Sequence, residues 1–93
     1  MTLKHGLLLA PLAGVTDRFY RETCFHQGAE LCFTEMVSAK GVCYRDDTTI
    51  RLADTVRENG HCAIQIFGSD PDGMAEAAEY LCDMYHPVGI DIN

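Results

Sequence analysis

Leu7-Leu8-Leu9-Ala10-Pro11-Leu12-Ala13-Gly14-Val15-Thr16-Asp17 passes from a short apolar run through a tight turn into a helix. The apolar run, Leu7 to Ala10, has the character of a buried parallel strand, apolar on both faces. Pro11 fixes one φ angle and removes a donor, Gly14 allows a backbone path closed to other residues, and Thr16 or Asp17 is placed to cap the helix. Small residues at Ala10, Ala13 and Gly14 leave backbone, not side chains, lining the space above the strand end. That is a seat for a flat ligand.

Working outward, the first helix is predicted over Asp17 to Gln27, with Tyr20, Thr23, Cys24 and Gln27 on one side and Gly28 as its stop signal. Leu31 to Thr34 reads as a second strand, leading into Glu35 to Gly41, a loop with one helical turn. Tyr44 to Asp47 reads as solvated loop, and Thr48 to Ala53 as a short helix. Ala63-Ile64-Gln65-Ile66-Phe67 is β-prone, and Gly68-Ser69-Asp70-Pro71 then supplies a turn, an N-cap and a proline at the first helical position. Met74, Ala78, Leu81 and Tyr85 come next at helical spacing, with acidic residues toward the amino end and His86-Pro87 as the close. Gly89 to Asn93 begins a fourth strand.

The order βα, βα, βα, β implies parallel strands joined by right-handed crossovers. A doubly wound sheet normally carries an early glycine-rich phosphate loop, and neither G-x-G-x-x-G nor G-x-x-x-x-G-K-[ST] occurs here. A (β/α)8 barrel instead gathers polar residues at the carboxyl ends of its strands, as at Ala10 to Ala13, Thr34 to Met36, Gln65 to Gly68 and Asn93. The predicted fold is α/β: the first three βα units plus the fourth strand of a (β/α)8 TIM barrel. Such barrels take ~250 residues, so residues 1–93 are expected to be the amino-terminal part of one, incomplete and prone to self-association through an uncovered inner face.

A formal net charge of -7 argues against a stand-alone nucleic-acid binder, because phosphate contacts need an excess of Lys and Arg. The five cysteines are odd in number, widely spaced and never in a C-x-x-C pair, which suggests neither a disulfide framework nor a zinc site. With no signal-peptide pattern, the expected compartment is the reducing cytoplasm. No run approaches the ~18 apolar residues a membrane span requires.

Four blocks, Ala10 to Arg18, Thr34 to Ala39, Gln65 to Pro71 and Ile90 to Asn93, together resemble successive blocks of the tRNA-dihydrouridine synthases. Leu12 stands where methionine is common in that family, and Phe19-Tyr20 where Pro-Phe is usual. The resemblance implies FMN-dependent reduction of a tRNA uridine to dihydrouridine, with NADPH as the reductant of the flavin and the target base turned out of the folded RNA. It places Pro11, Leu12 and Ala13 under the flavin ring. Gln65, in an otherwise apolar strand, must satisfy both ends of its amide, and the flavin's pyrimidine edge offers matching groups. Asn93 resembles the asparagine facing flavin and uracil; Glu35 and Met36 lie at the corresponding end of the second strand, where Glu35 is placed to orient the loop by hydrogen bonding.

In the family the Asp-Ile-Asn block runs directly into Met-Gly-Cys-Pro, whose cysteine is the proton donor. That cysteine lies beyond Asn93, so no catalytic residue is assigned and the 93 residues alone are expected to be inactive. The flavin-phosphate segments and the tRNA-gripping helical domain are likewise outside them. Cys24, Cys32, Cys43, Cys62 and Cys82 are read as small hydrophobes and His5, His26, His61 and His86 as surface residues. Two rival readings share part of this pattern: another FMN-dependent barrel oxidoreductase acting on a small molecule, and a non-catalytic α/β module with open sheet edges.

Overall fold

The computed structural model describes residues 2–58 and 61–93. In chain order they form β1 (Leu8–Leu9), α1 (Arg18–His26), β2 (Leu31–Phe33), β3 (Val37–Ser38), α2 (Ala39–Cys43) and α3 (Asp47–Leu52). A short 3-10 turn (Val56–Glu58) then leads to β4 (Cys62–Phe67), α4 (Pro71–Tyr85) and β5 (Gly89–Ile92). Every strand pairing is parallel.

The registers settle the strand order. Ala63 is paired with both Phe33 and Gly89, and Ile66 with both Val37 and Ile92. A strand has two edges, so β2 and β3 share one edge of β4 and β5 takes the other. The sheet therefore runs β1, β2 with β3, β4, β5, each strand beside its predecessor in the chain. A doubly wound sheet would reverse direction at a switch point. A monotonic parallel order with helices between strands is the barrel pattern, left open here between β1 and β5.

The helices α1 and α4 begin and end close to where the sequence predicts. Asp17 accepts from the Tyr20 N–H at the start of α1, and Gly28 takes a φ of 106° just past its end, where the Ala29 N–H reaches back to the Cys24 carbonyl. Asp70 accepts from the Asp72 and Gly73 N–H groups, Pro71 opens α4, and His86 closes it in the left-handed region at φ 49°. Asp46 caps α3 through the Thr49 N–H. Ile64 and Ile66 of β4 pack with Ala77 and Leu81 of α4, Val37, Val42, Ile50 and Ala53, all buried. This core lies on the helix side of the sheet, so Ala63, Gln65 and Phe67 face the opposite, inner side.

Three expectations are corrected. Leu7 to Ala10 shortens to the two residues of β1, and Leu8 is 42% exposed rather than buried, because β1 pairs only with β2 and lies at the sheet's edge. Within Glu35 to Gly41 the helical turn is present as the start of α2 (Ala39–Cys43), but Val37–Ser38 is not loop: it rejoins the sheet as β3. Within the loop expected at Tyr44 to Asp47, the turn narrows to Tyr44 and Arg45, the latter at φ 59°, and Asp47 already belongs to α3.

Leu81 is fully buried in this core, so Leu81→Ala should cost about 2–5 kcal/mol in urea unfolding. Met84 is 41% exposed on the same helix, and Met84→Ala should stay within ~0.5 kcal/mol. Equal costs for the two would contradict the facing of α4.

Candidate functional site

Between Phe33↔Ala63 and Val37↔Ile66 the second strand spends three residues, Thr34, Glu35 and Met36, against two on β4, Ile64 and Gln65. One residue is extra, which makes this a β-bulge, a device that commonly re-aims side chains beside functional sites. Each of the three residues reaches a different part of the sheet's carboxyl end. Thr34, fully buried, accepts the Gln65 N–H on its Oγ1 at 3.1 Å, replacing the ladder bond the bulge removes, and donates to the Glu35 carbonyl at 2.8 Å. Glu35 Oε1 accepts the Gly14 N–H at 2.7 Å, anchoring the turn after β1. Met36 Sδ receives the Asn93 Nδ2 at 3.3 Å.

The loop after β1 is folded on itself. Val15 and Thr16 N–H groups both donate to the Leu12 carbonyl, and the Leu12 N–H donates to Thr16 Oγ1 at 3.1 Å. Gly14 takes φ 77°, which permits the turn. With its backbone engaged inward, Leu12 presents its side chain outward at 56% exposure, next to exposed Ala13 and half-buried Pro11.

Gln65 sits on the inner face, 8% exposed. Its Nε2 donates to Asp91 Oδ2 at 2.7 Å from the in-register position on β5, and its Oε1 receives the Asn93 Nδ2 at 3.5 Å. A carboxylate only accepts, so Asp91 forces the nitrogen end of the Gln65 amide toward itself and fixes which way the carbonyl points. One amide hydrogen and further acceptor capacity on the carbonyl remain. Asn93 is itself held by its N–H on the Ile66 carbonyl.

Gln65 and Asn93 are thus brought together, while Pro11, Leu12 and Ala13 join them only through the bulge. Asp91 and Met36 are the residues that sequence reasoning left without a role. The signal for Asp91 was its alternation with Asn93 just past the end of β5, which puts two polar side chains on one face; Met36 had no such signal. A cleft of about 960 Å3 opens beside Asn93 between α2 and the start of α4, lined by Lys40, Tyr44, Phe67 and Asp70 among others. A smaller one of about 270 Å3 lies beside Glu35 and Arg18. Gln65 lines neither.

All five cysteines are free, and Cys32 and Cys62 are fully buried register partners. Burial pushes both thiols up to about 12, and a thiol held protonated is a poor nucleophile. Among the described residues no group of His, Cys, Asp and Glu is arranged to hold a metal ion. His5, His26, His61 and His86 are all exposed.

The family described as dihydrouridine synthase matches residues 8–93. The tRNA-dihydrouridine synthase B of Pasteurella multocida is 45% identical over 92 residues, covering 98% of this chain and 27% of the relative. A probable tRNA-dihydrouridine synthase of Treponema pallidum is 39% identical over the full 93 residues, again 27% of its own length. One from Aquifex aeolicus is 37% identical over 94 residues, 29% of its length. The chain thus spans just over a quarter of the curated relatives it matches.

Thr34→Val removes the acceptor for the buried Gln65 N–H without changing side-chain size, so it should destabilise the chain by about 1–3 kcal/mol in chemical unfolding. Thr34→Ser should recover most of that loss; equal losses would remove the hydroxyl from the account. The raised Cys32 and Cys62 thiols contribute stability that is fully present below the ordinary thiol value of 9.0 and lost as pH climbs toward about 12. Unfolding at stepped pH should show that decline, and Cys32→Ala with Cys62→Ala should flatten it.

Proposed function

The chain belongs to the dihydrouridine synthase family, and from that premise we propose that residues 1–93 are the amino-terminal part of a barrel domain that reduces uridine in tRNA to dihydrouridine. FMN is the proposed cofactor, NADPH the proposed reductant and tRNA the substrate, bound through surface that this acidic chain does not itself supply. The cytoplasm is the proposed setting, and no helix among the described residues is long and apolar enough to cross a membrane.

The observation that carries this reading is the Gln65 amide on the inner face, oriented by Asp91 and flanked by Asn93. Its remaining donor and acceptor capacity suits the polar edge of a flavin ring, and the outward Leu12 side chain on a small-residue loop suits the ring's apolar face. Pro11, Leu12, Ala13 and Gln65 would hold the cofactor, and Asn93 would meet the base beside it. When bound, the flavin supplies the hydride for the uracil double bond.

The chain's own residues do three things in this scheme. Glu35 and Thr16 fix the loop, by the Gly14 N–H and the Leu12 backbone. Thr34 holds β4 in place across the bulge. Asp91 sets the direction of the Gln65 amide. No acid is assigned among the 93 residues, so on its own the chain is expected to be inactive. Alone in solution, Leu7, Leu8 and Ile92, all more than two-fifths exposed, favour self-association of the open sheet.

FMN titration of the 93-residue chain, followed by flavin fluorescence, should give saturable binding. Gln65→Ala should weaken it about tenfold, the scale of one buried hydrogen-bonding side chain. Asp91→Asn, which frees the amide to turn over, should weaken it less. Binding indifferent to both substitutions would overturn the assignment of this face.

A further inference from the structure

We propose that Arg21 is the positioning residue of the Pro11–Ala13 loop, setting that loop against the sheet through Thr16; the inference rests on the reading of the loop as part of a flavin-binding face. Arg21 projects from α1 and is 1% exposed. Its Nε and Nη2 both reach Glu58 Oε1 at 2.8 Å, its Nη1 donates to the Thr16 carbonyl at 2.8 Å, and its Nη2 to the Asp54 carbonyl at 3.0 Å. One rigid guanidinium therefore joins α1, the loop after β1 and the connection between α3 and β4.

Thr16 transmits this hold. It is 1% exposed, and its hydroxyl both accepts from the Leu12 N–H at 3.1 Å and donates toward the Leu12 carbonyl at 3.3 Å. Thr16 and Val15 N–H groups add two more bonds to that carbonyl. Both backbone groups of Leu12 are thus tied to the residue that Arg21 grips, and any shift of Thr16 carries Leu12 with it. Glu35 tethers the same loop from the other side at Gly14.

A buried ion pair is weak support for stability, since apolar packing of equal volume often does as well. Here Glu58 Oε2 is buried with no partner among the described residues, so the pair carries an uncompensated desolvation cost. What an apolar side chain cannot replace is the two backbone carbonyls, Thr16 and Asp54, that Arg21 holds at fixed separation. Lysine cannot replace it either, because one ammonium does not span the fork.

The test is amide hydrogen exchange by NMR alongside FMN titration, on the 93-residue chain and its Arg21→Lys variant. Exchange at the Leu12 and Thr16 amides should rise about tenfold, FMN binding should weaken to a similar degree, and the Ile64 and Ile66 amides should keep their protection. In a Thr16→Val background, which removes both hydroxyl contacts with Leu12 and leaves only the backbone bonds to its carbonyl, Arg21→Lys should cost less in FMN binding than it does alone. Should Arg21→Lys fail to fold, Glu58→Gln, which keeps an acceptor for the guanidinium and drops the charge, should give the same pattern at about threefold. Unchanged exchange at Leu12 and Thr16, or loss of protection at Ile64 and Ile66 with them, would overturn the proposal. If the exchange pattern holds but the chain binds no FMN, the flavin reading fails and the positioning role stands.

Discussion

A parallel strand must keep register with both neighbours, and the second strand here carries one residue more than β4 can pair. The excess is absorbed at Thr34-Glu35-Met36. A bulge at that place would leave the Gln65 N–H buried and unpaired, at a cost comparable to a lost hydrogen bond. The Thr34 hydroxyl removes that cost by standing in for the missing carbonyl. Having left the ladder, Glu35 and Met36 are free to reach sideways, one to the turn after β1 and the other to the end of β5. Val37 then re-enters the sheet on the helix side and completes the core around Ile64 and Ile66.

The two faces of the sheet are consequently unlike. The helix side is closed by aliphatic packing among β4, α4, α2 and α3, with the buried Arg21–Glu58 pair at α1. The inner side is organised by polar side chains whose directions constrain one another. An accept-only carboxylate at Asp91 turns the Gln65 amide, and the amide oxygen and Met36 sulfur together receive Asn93. The donor and acceptor capacity left on the Gln65 amide, held in a fixed direction, is the physical reason to propose a ligand there.

The loop after β1 shows how a chain with little regular structure is still fixed in place. β1 itself is only two residues long. Position comes from the Thr16 hydroxyl on Leu12, from Glu35 on Gly14, and from the buried Arg21 on Thr16. Glu30 does the same for the segment before β1, accepting from the Lys4 and His5 N–H groups.

Helix boundaries were legible in the sequence because they depend on local chemistry: Asp17 and Asp70 cap within their own first turns, Pro71 suits only a first turn, and Gly28 tolerates φ 106°. The strand order followed from the alternation of elements, and Gln65 stood out because an amide in an apolar strand needs partners. The bulge was not legible. Glu35 to Gly41 has the composition of a loop, and only pairing with β4, nearly thirty residues away, makes Val37–Ser38 a strand. The partners of Gln65 were equally hidden, since Asp91 becomes its neighbour by register alone. Nor does spacing reveal that Arg21, one charged residue on a short amphipathic helix, is buried against Glu58, 37 positions on. Local chemistry determined where α1 and α4 begin and end; long-range register and burial, which depend on the whole sheet, decided where β3 forms and what the side chains touch.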